Sequence, residues 1–244
     1  MKTLYILQHI DRECPSLFLS VAKELGIPTS LIRIDLGDII PDLKENSALL
    51  ILGGPMGIDD LKTGNYPWLD YEIKAIEEAL TNLVPMIGIC LGAQLIAYAA
   101  GGGVTKLTYG EPSVQKSEIG WSEIKFDFPE WLNQSPLAKF KSMDVLHWHS
   151  DRIILPKEST LLASSLKCKE QLYLLPNNVY GLQFHIEITH SDFMRWLEED
   201  CKFVESAYGP NAKSILIHNN QIYSDRSKSH RISMIRTLLE LTCM

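Results

Sequence analysis

The chain has 244 residues, of which 45% are hydrophobic and 22% charged, the composition of a globular protein with one core of ordinary size. A net charge of -7 at pH 7 argues against nucleic acid as the main partner, and the N-terminal apolar run is too short for a signal peptide or a membrane span. Five scattered cysteines without a CxxC pair favour a reducing compartment over a disulfide framework or a zinc site. We therefore expect a cytoplasmic protein without membrane or nucleic-acid partners, and small polar substrates remain open.

The first hundred residues alternate between apolar runs and helical patterns. The patterns predict strands at residues 4–7, 30–34, 48–52 and 85–89, and helices at residues 15–25, 67–83 and 91–100. Strands that alternate with helices build a parallel sheet with helices on both faces, and its reactive groups lie outside the carboxyl ends of the strands. Gly54 and Cys90 both follow such strand ends.

The second half of the chain has a different pattern. Short strand candidates separated by Pro, Asn or Ser turns lie at residues 119–126, 144–148, 160–164, 171–175 and 178–184. A helix is predicted at residues 191–206, a loop or partner-facing excursion at 208–230, and a last helix at 232–241. We therefore predict one α/β domain over residues 1–244, with a flavodoxin-like, doubly wound, mostly parallel sheet, helices on both faces and an additional small antiparallel β element.

Cys90 stands between two glycines, in Gly-Ile-Cys-Leu-Gly, where a predicted strand turns into a helix. Such a turn is a nucleophile elbow, here with a thiol as the attacking group, and a helix N-terminus and an imidazole both favour the ionised thiol. His185 and Glu187 are two apart in an extended run, so their side chains point to the same side and the glutamate can orient the histidine. The N–H groups of Leu91 and Gly54 are candidates for an oxyanion hole.

Each of these residues alone also has a structural interpretation. A single buried cysteine is usually an inert small hydrophobe, and a single histidine in an apolar strand is usually a core residue. Their joint occurrence, in this order on an alternating β/α chain, favours catalysis. His147 and His149 also lie two apart, but no third acidic or thiol ligand is spaced beside them, so no metal is predicted. His9 and Asp11 follow the first strand and either line the same cleft or form a polar loop.

Over residues 45–190 the chain resembles the class I glutamine amidotransferases of the Cys-His-Glu type, closest to stand-alone proteins similar to the glutaminase domain of GMP synthase. The resemblance rests on Leu-Gly-Gly-Pro-Met-Gly ending at residue 57, Gly-Ile-Cys-Leu-Gly-Ala-Gln at 88–94, Glu-Ile-Gly-Trp at 118–121, His-Trp-His-Ser-Asp at 147–151 and Gly-Leu-Gln-Phe-His-Ile-Glu at 181–187. It implies that residues 191–244 are a helical extension. It also implies that Cys90 is the nucleophile, His185 the base and Glu187 its partner, with the oxyanion hole at Gly54 and Leu91. The glutamine-holding positions would be Gln94, Trp148, His149, Ser150 and Asp151.

The resemblance implies hydrolysis of the γ-amide of glutamine through a γ-glutamyl thioester, without a cofactor, and delivery of the ammonia to a separate synthetase subunit. Ile186 stands where the family usually has proline, and Ser150 replaces a common glycine. No ATP-pyrophosphatase segment follows, so a complete GMP synthase in this chain is not expected. A partner-independent γ-glutamyl peptidase is therefore an alternative. A binding or regulatory protein with the same fold is a third interpretation, against which the intact triad counts.

Overall fold

The structure is a computed structural model that describes residues 1–109 and 116–244. Strands and helices alternate in its first half, strands dominate the middle, and helices close the chain. The elements are β1 Thr3–Gln8, α1 Ser16–Glu24, β2 Thr29–Arg33, β3 Ser47–Ile51, α2 Trp68–Thr81, β4 Met86–Ile89, α3 Leu91–Ala99, β5 Gly103–Lys106, β6 Glu118–Phe126, β7 Ser142–His149, β8 Asp151–Ile154, β9 Thr160–Ser164, β10 Leu172–Leu175, β11 Val179–Leu182, α4 His190–Glu199, α5 Cys201–Tyr208 and α6 Ala212–Cys243.

Across the described residues the main sheet has nine strands in the order β2-β1-β3-β4-β11-β10-β9-β6-β7. The first five of these strands are parallel, and the strands from β10 to β7 extend the sheet in antiparallel pairs. Strands β5 and β8 form a separate two-stranded antiparallel sheet. The predicted fold class is thereby confirmed, and most of the antiparallel strands continue the parallel sheet.

Side-chain alternation on the parallel strands explains why helices cover both faces. In β3, Leu50 packs in the core cluster that contains α1 and α6, whereas Leu49 and Ile51 pack in the cluster that contains α2 and α3. Every residue of β3 is buried, as expected for a strand that is covered on both sides. The parallel register pairs Leu182 at the end of β11 with Ile89 at the end of β4. The segments that follow these two strands therefore start side by side at one edge of the sheet.

The prediction of a loop at residues 208–230 is wrong. Most of this segment belongs to α6, a helix of 32 residues. Its buried positions follow a helical spacing of three or four residues, but in the N-terminal half they carry small or polar side chains. The inward-facing residues are Leu216, Asn220, Ser224, Ser227, Arg231, Met234, Ile235 and Leu238. A search for apolar residues at helical spacing cannot detect such a face, because many of its side chains are polar and are held by hydrogen bonds.

Arg231 is the clearest case of a buried polar residue on α6. It is 1% exposed, and its guanidinium donates to the carbonyl oxygen of Ile188 at 2.7 Å and to that of Ile186 at 3.3 Å. It also donates to the Ser224 carbonyl at 3.0 Å and stacks over the Trp121 ring, with 5.1 Å between the Cζ atom and the ring centroid. Burial lowers the pKa of Arg231 to about 10. The helix is thus fastened to the backbone on either side of residue 187.

Arg231→Met is expected to lower the free energy of unfolding by about 2–4 kcal/mol, because it leaves buried carbonyl groups without donors. Urea unfolding followed by circular dichroism measures this loss. Arg226→Met on the same helix is the matched control, since the Arg226 side chain is 70% exposed, and it should change the stability by less than about 0.5 kcal/mol. Equal effects of the two substitutions would contradict the assigned role of Arg231.

The predicted helix at residues 191–206 is divided in the structure. Helices α4 and α5 meet at Asp200, whose carboxylate accepts hydrogen bonds from Arg12 at 2.7 Å and from the Trp148 indole at 2.9 Å. These contacts with residues distant in sequence account for the break between α4 and α5. The apolar periodicity of the segment does not reveal them. Among the described residues, no helix combines the length and the apolar character that crossing a bilayer would require.

Candidate active site

Cys90 lies at the turn between β4 and α3, in a backbone conformation that few non-glycine residues adopt. Its φ and ψ angles are 49° and -103°, and its N–H donates to the Leu182 carbonyl at 2.7 Å. The flanking glycines are sterically required: a Cβ atom at Gly92 would collide with the carbonyl oxygen of Ile51, and one at Gly88 would lie 2.6 Å from the backbone of the following helix. This strained turn holds the thiol at the N-terminus of α3.

His185 and Glu187 follow β11 and form a buried pair. His185 Nδ1 lies 2.6 Å from Glu187 Oε1, and because a carboxylate can only accept, the ring nitrogen is the donor. The other carboxylate oxygen accepts the N–H of Ile186 at 2.8 Å, and the Trp196 ring packs edge-on against the imidazole at a centroid distance of 4.7 Å. Burial alone would lower the pKa of His185, but Glu187 and the Cys90 thiol together hold it well above the usual value.

Most of the predicted site residues line one cavity of about 280 Å³. Its lining includes every one of them except Glu187, which lies behind the histidine: Gly54, Cys90, Leu91, Gln94, Trp148, His149, Ser150, Asp151 and His185. Among the described residues, the N–H groups of Gly54 and Leu91 have no hydrogen-bond acceptor. Two free donors beside a thiol are what a developing oxyanion needs.

Some predicted substrate-binding side chains are also held by the protein. The Gln94 side chain donates to Gln183 at 3.2 Å, and Gln183 in turn reaches the Cys90 sulfur at 3.5 Å. Asp151 pairs with Lys106 at 3.0 Å. Gln183 was not among the site residues predicted from the sequence. Its position was a usable signal, because it lies two residues before His185 in an alternating segment and therefore points to the same side.

Pro55 and Met56 of the glycine-rich motif also line the cavity, and four further residues that complete it were not predicted from the sequence: Arg12, Glu13, Asp200 and Phe203. The first two come from the segment after β1 and the others from the α4–α5 region, so only the tertiary fold brings them together. Of the two candidates in that segment, His9 is buried against Gly53 and Glu72, and Asp11 pairs with Arg33 and Arg195. Neither His9 nor Asp11 lines the cavity.

Glu13 is a buried carboxyl group next to the histidine. A Cβ atom at Gly53 would meet both Glu13 Oε2 and the Cε1 atom of His185. That carboxyl oxygen has no hydrogen-bond partner among the described residues. Burial raises the pKa of Glu13 to about 7, despite the opposing positive charges of His185 and Arg12. Compared with the unfolded chain, the folded protein therefore favours the protonated form of this side chain.

The shift at Glu13 predicts a pH-dependent stability. The folded pKa of about 7 exceeds the ordinary 4.5, so the contribution of this group to stability is complete below about pH 4.5 and is lost as the pH rises through 7. Glu13→Gln should match the wild type near pH 4.5 and exceed it at pH 8 by about 2–4 kcal/mol. Urea unfolding at both pH values tests this, with exposed Glu123→Gln as the control. A pH-independent difference would contradict it.

The pair His147 and His149 has a third neighbour that the linear sequence hides. The β6–β7 register places Glu118 opposite His149, and Glu118 Oε2 lies 3.3 Å from His149 Nε2 and 3.6 Å from His147 Nδ1. The three side chains are buried. An acidic group therefore does lie beside the two histidines in space. This contradicts the argument from sequence spacing by which no metal site was predicted.

A parallel sheet that brings a turn cysteine into one cavity with a histidine–glutamate pair defines a class of α/β proteins whose sites are suited to attack on an acyl carbon by a thiol. The model of the family "Glutamine amidotransferase class-I" matches residues 14–202. The chain therefore belongs to the class I glutamine amidotransferases.

Individual relatives agree with this assignment. The glutamine amidotransferase-like protein YfeJ of Salmonella typhimurium is 33% identical over 190 residues, which cover 76% of each chain. One subunit of the glutamine-hydrolysing GMP synthase of Saccharolobus solfataricus is 31% identical over 159 residues, 63% of this chain and 73% of that one. The crystal structure of a glutamine amidotransferase from Thermotoga maritima superposes with a TM-score of 0.82 at 25% identity, covering 99% of this chain and 98% of that chain.

Proposed function

We propose that residues 1–244 act as one domain that hydrolyses the γ-amide of glutamine through a γ-glutamyl thioester on Cys90. The observation that carries this proposal is the single cavity lined by Cys90, His185 and the free N–H groups of Gly54 and Leu91. Family membership supports the choice of an amide as the substrate.

In the first half-reaction the Cys90 sulfur attacks the amide carbon of the glutamine side chain. His185, whose pKa lies well above the usual value, takes the thiol proton and holds it as the imidazolium. The carbonyl electrons move onto the oxygen, where the N–H groups of Gly54 and Leu91 stabilise the charge. When the tetrahedral intermediate collapses, the C–N bond breaks, and His185 returns the proton to the departing nitrogen. Ammonia leaves, and the γ-glutamyl group remains as a thioester.

In the second half-reaction water replaces the nitrogen. His185 takes a proton from the water molecule that attacks the thioester carbon, the C–S bond breaks, and the sulfur regains a proton as glutamate leaves. Glu187 touches no reacting atom in this scheme. It holds the Nδ1 proton of His185, so that Nε2 is free for both proton transfers, and stabilises the imidazolium.

γ-Glutamyl peptides are the second candidate substrates, because the same chemistry cleaves any γ-glutamyl amide. Two observations support γ-glutamyl peptides as substrates. Ser150 stands where the family commonly has glycine, and the charged residues Arg12 and Asp200 line the same cavity. Although the two side chains bond to each other at 2.7 Å, Arg12 offers a partner for a carboxylate of a second residue and Asp200 one for an amino group. Glutamine remains the first choice on family grounds.

A panel of glutamine and γ-glutamyl dipeptides, with glutamate release as the readout, decides among the candidates. We expect glutamine to be hydrolysed, and slowly in the isolated protein, because glutaminase subunits are normally activated by closure on a partner. A dipeptide cleaved with kcat/KM of about 10⁴ M⁻¹s⁻¹ or better would establish the peptidase instead. Failure to hydrolyse any member, with the fold intact, would favour a binding or regulatory protein.

A separate synthetase subunit is the proposed acceptor of the ammonia. The relative from Saccharolobus solfataricus is named as one subunit of a GMP synthase, which supports a comparable division of labour here. Adding a purified synthetase subunit from the same organism should raise the glutaminase rate of this chain. An unchanged rate over a wide range of subunit concentrations would contradict that pairing while leaving the hydrolytic chemistry untouched.

A further inference from the structure

The cluster of Glu118, His147 and His149 lies on one face of the β6–β7 ladder, outside the set of reacting groups. Glu118 is paired with His149 across the two strands, and His147 is paired with Gly120, which brings no side chain. The three side chains are between 0% and 4% exposed. Three groups that commonly ligate metal ions therefore converge in the interior, beside the segment that lines the active-site cavity.

The spacing of the donor atoms fits a small metal ion. Glu118 Oε2 lies 3.3 Å from His149 Nε2 and 3.6 Å from His147 Nδ1, and one donor atom from each residue lies within 4.8 Å of the others. Zinc–ligand distances of about 2.1 Å in tetrahedral geometry separate neighbouring donors by about 3.4 Å. The carboxylate oxygen already lies at about this spacing from one ring nitrogen of each histidine.

Within the part of the chain that the structure describes, the hydrogen bonding around the cluster leaves three histidine ring nitrogens without a partner. Neither ring nitrogen of His147, nor Nε2 of His149, has a hydrogen-bond partner among the described residues, although all three atoms are buried. The remaining nitrogen of His149, Nδ1, donates to the Asp151 carbonyl at 2.8 Å, and Nε2 is the nitrogen that faces Glu118. Gln171 donates to Glu118 Oε2 at 2.8 Å and fixes the carboxylate. Outer contacts of this kind are typical of protein metal sites.

We propose that Glu118, His147 and His149 bind a divalent transition-metal ion, for which Zn²⁺ is the probe. Two imidazoles and one carboxylate are a ligand set that suits zinc. The ion would link β6 to β7 and hold His149, which lines the active-site cavity. Its role is to fix the segment at residues 148–151, and it takes no part in the attack by the thiol.

The test is zinc binding by the intact chain, measured without reference to activity. After treatment with EDTA and gel filtration, equilibrium dialysis against Zn²⁺ with elemental analysis should give one tightly held equivalent per chain. Glu118→Gln and His147→Asn should each weaken this binding by at least about 100-fold. His218→Asn removes an exposed histidine from α6 and should leave it unchanged. Zinc should also raise the melting temperature of the wild type and of His218→Asn, but not of the other two variants.

Cobalt distinguishes this site from the thiol of the active site. Co²⁺ bound to nitrogen and oxygen ligands should absorb in the visible range without a thiolate-to-metal charge-transfer band, and Cys90→Ser should leave the spectrum unchanged. The proposal is overturned if the wild type holds no zinc, if Glu118→Gln and His147→Asn bind it as tightly as the wild type, or if a thiolate band is present and disappears in Cys90→Ser. The wild-type measurement decides even if one variant fails to fold.

Discussion

Cys90→Ala is expected to abolish glutamine hydrolysis, with kcat lowered by at least about 10⁴-fold. No other described side chain in the cavity is placed as the sulfur is, at the N-terminal turn of α3 and beside His185. Glutamate release measures the loss, and circular dichroism checks the fold. Cys201→Ala is the matched control: this thiol is exposed and free, and its removal should leave the rate unchanged.

Covalent labelling gives a second measurement of the same assignment. A glutamine-like diazo-ketone should add one label per chain, which peptide mapping should locate on Cys90. Cys168 is a suitable internal comparison, because burial raises the pKa of its thiol to about 12 and leaves it unreactive. Labelling that persists in Cys90→Ala, or that lands on Cys168 or Cys201, would contradict the assignment.

His185→Ala should reduce turnover to background, whereas Glu187→Gln should leave a weak residual rate, lowered by about 10²–10⁴-fold. The alanine variant has no base. The glutamine variant keeps an acceptor for the Ile186 N–H, but its side chain no longer carries the charge that holds the Nδ1 proton and stabilises the imidazolium. Initial rates over a range of pH, with the fold checked by circular dichroism, separate the two cases.

Two results would contradict these roles for His185 and Glu187. Near-wild-type rates in both variants would mean that the pair is structural. Complete loss of activity in Glu187→Gln together with loss of the folded circular dichroism signal would mean that the glutamate acts through stability. The high pKa of His185 adds a further expectation: Glu187→Gln should shift any titration of the histidine in the pH–rate profile to lower pH.

Patterns among residues that are neighbours in sequence were sufficient to predict the strands and helices that position Cys90. Buried apolar runs followed by helical patterns marked β1 to β4 and α1 to α3, because each strand is covered on both faces and each helix buries one apolar face. The glycines around Cys90 indicated a tight turn for a steric reason that the structure bears out at Gly92. These features depend on neighbours in sequence, which is why the chain reveals them.

Features that depend on pairing between distant segments could not be predicted. Glu118 joins His147 and His149 only through the β6–β7 register, and Glu13 reaches His185 only because the segment after β1 folds over Gly53. The polar face of α6 was missed for the same reason. Its partners, the carbonyl groups around residue 187, lie far away in the chain.

The position of β11 has a consequence for synthesis of the protein. This strand is the last to be made, yet it lies between β4 and β10 in the interior of the sheet. Translation from the end of β4 to residue 182 takes roughly 5–20 s at ordinary rates. During this interval β4 has an apolar edge without its partner strand. Unpaired apolar edges are sites of aggregation, so nascent chains of this protein should depend on shielding by chaperones during that interval.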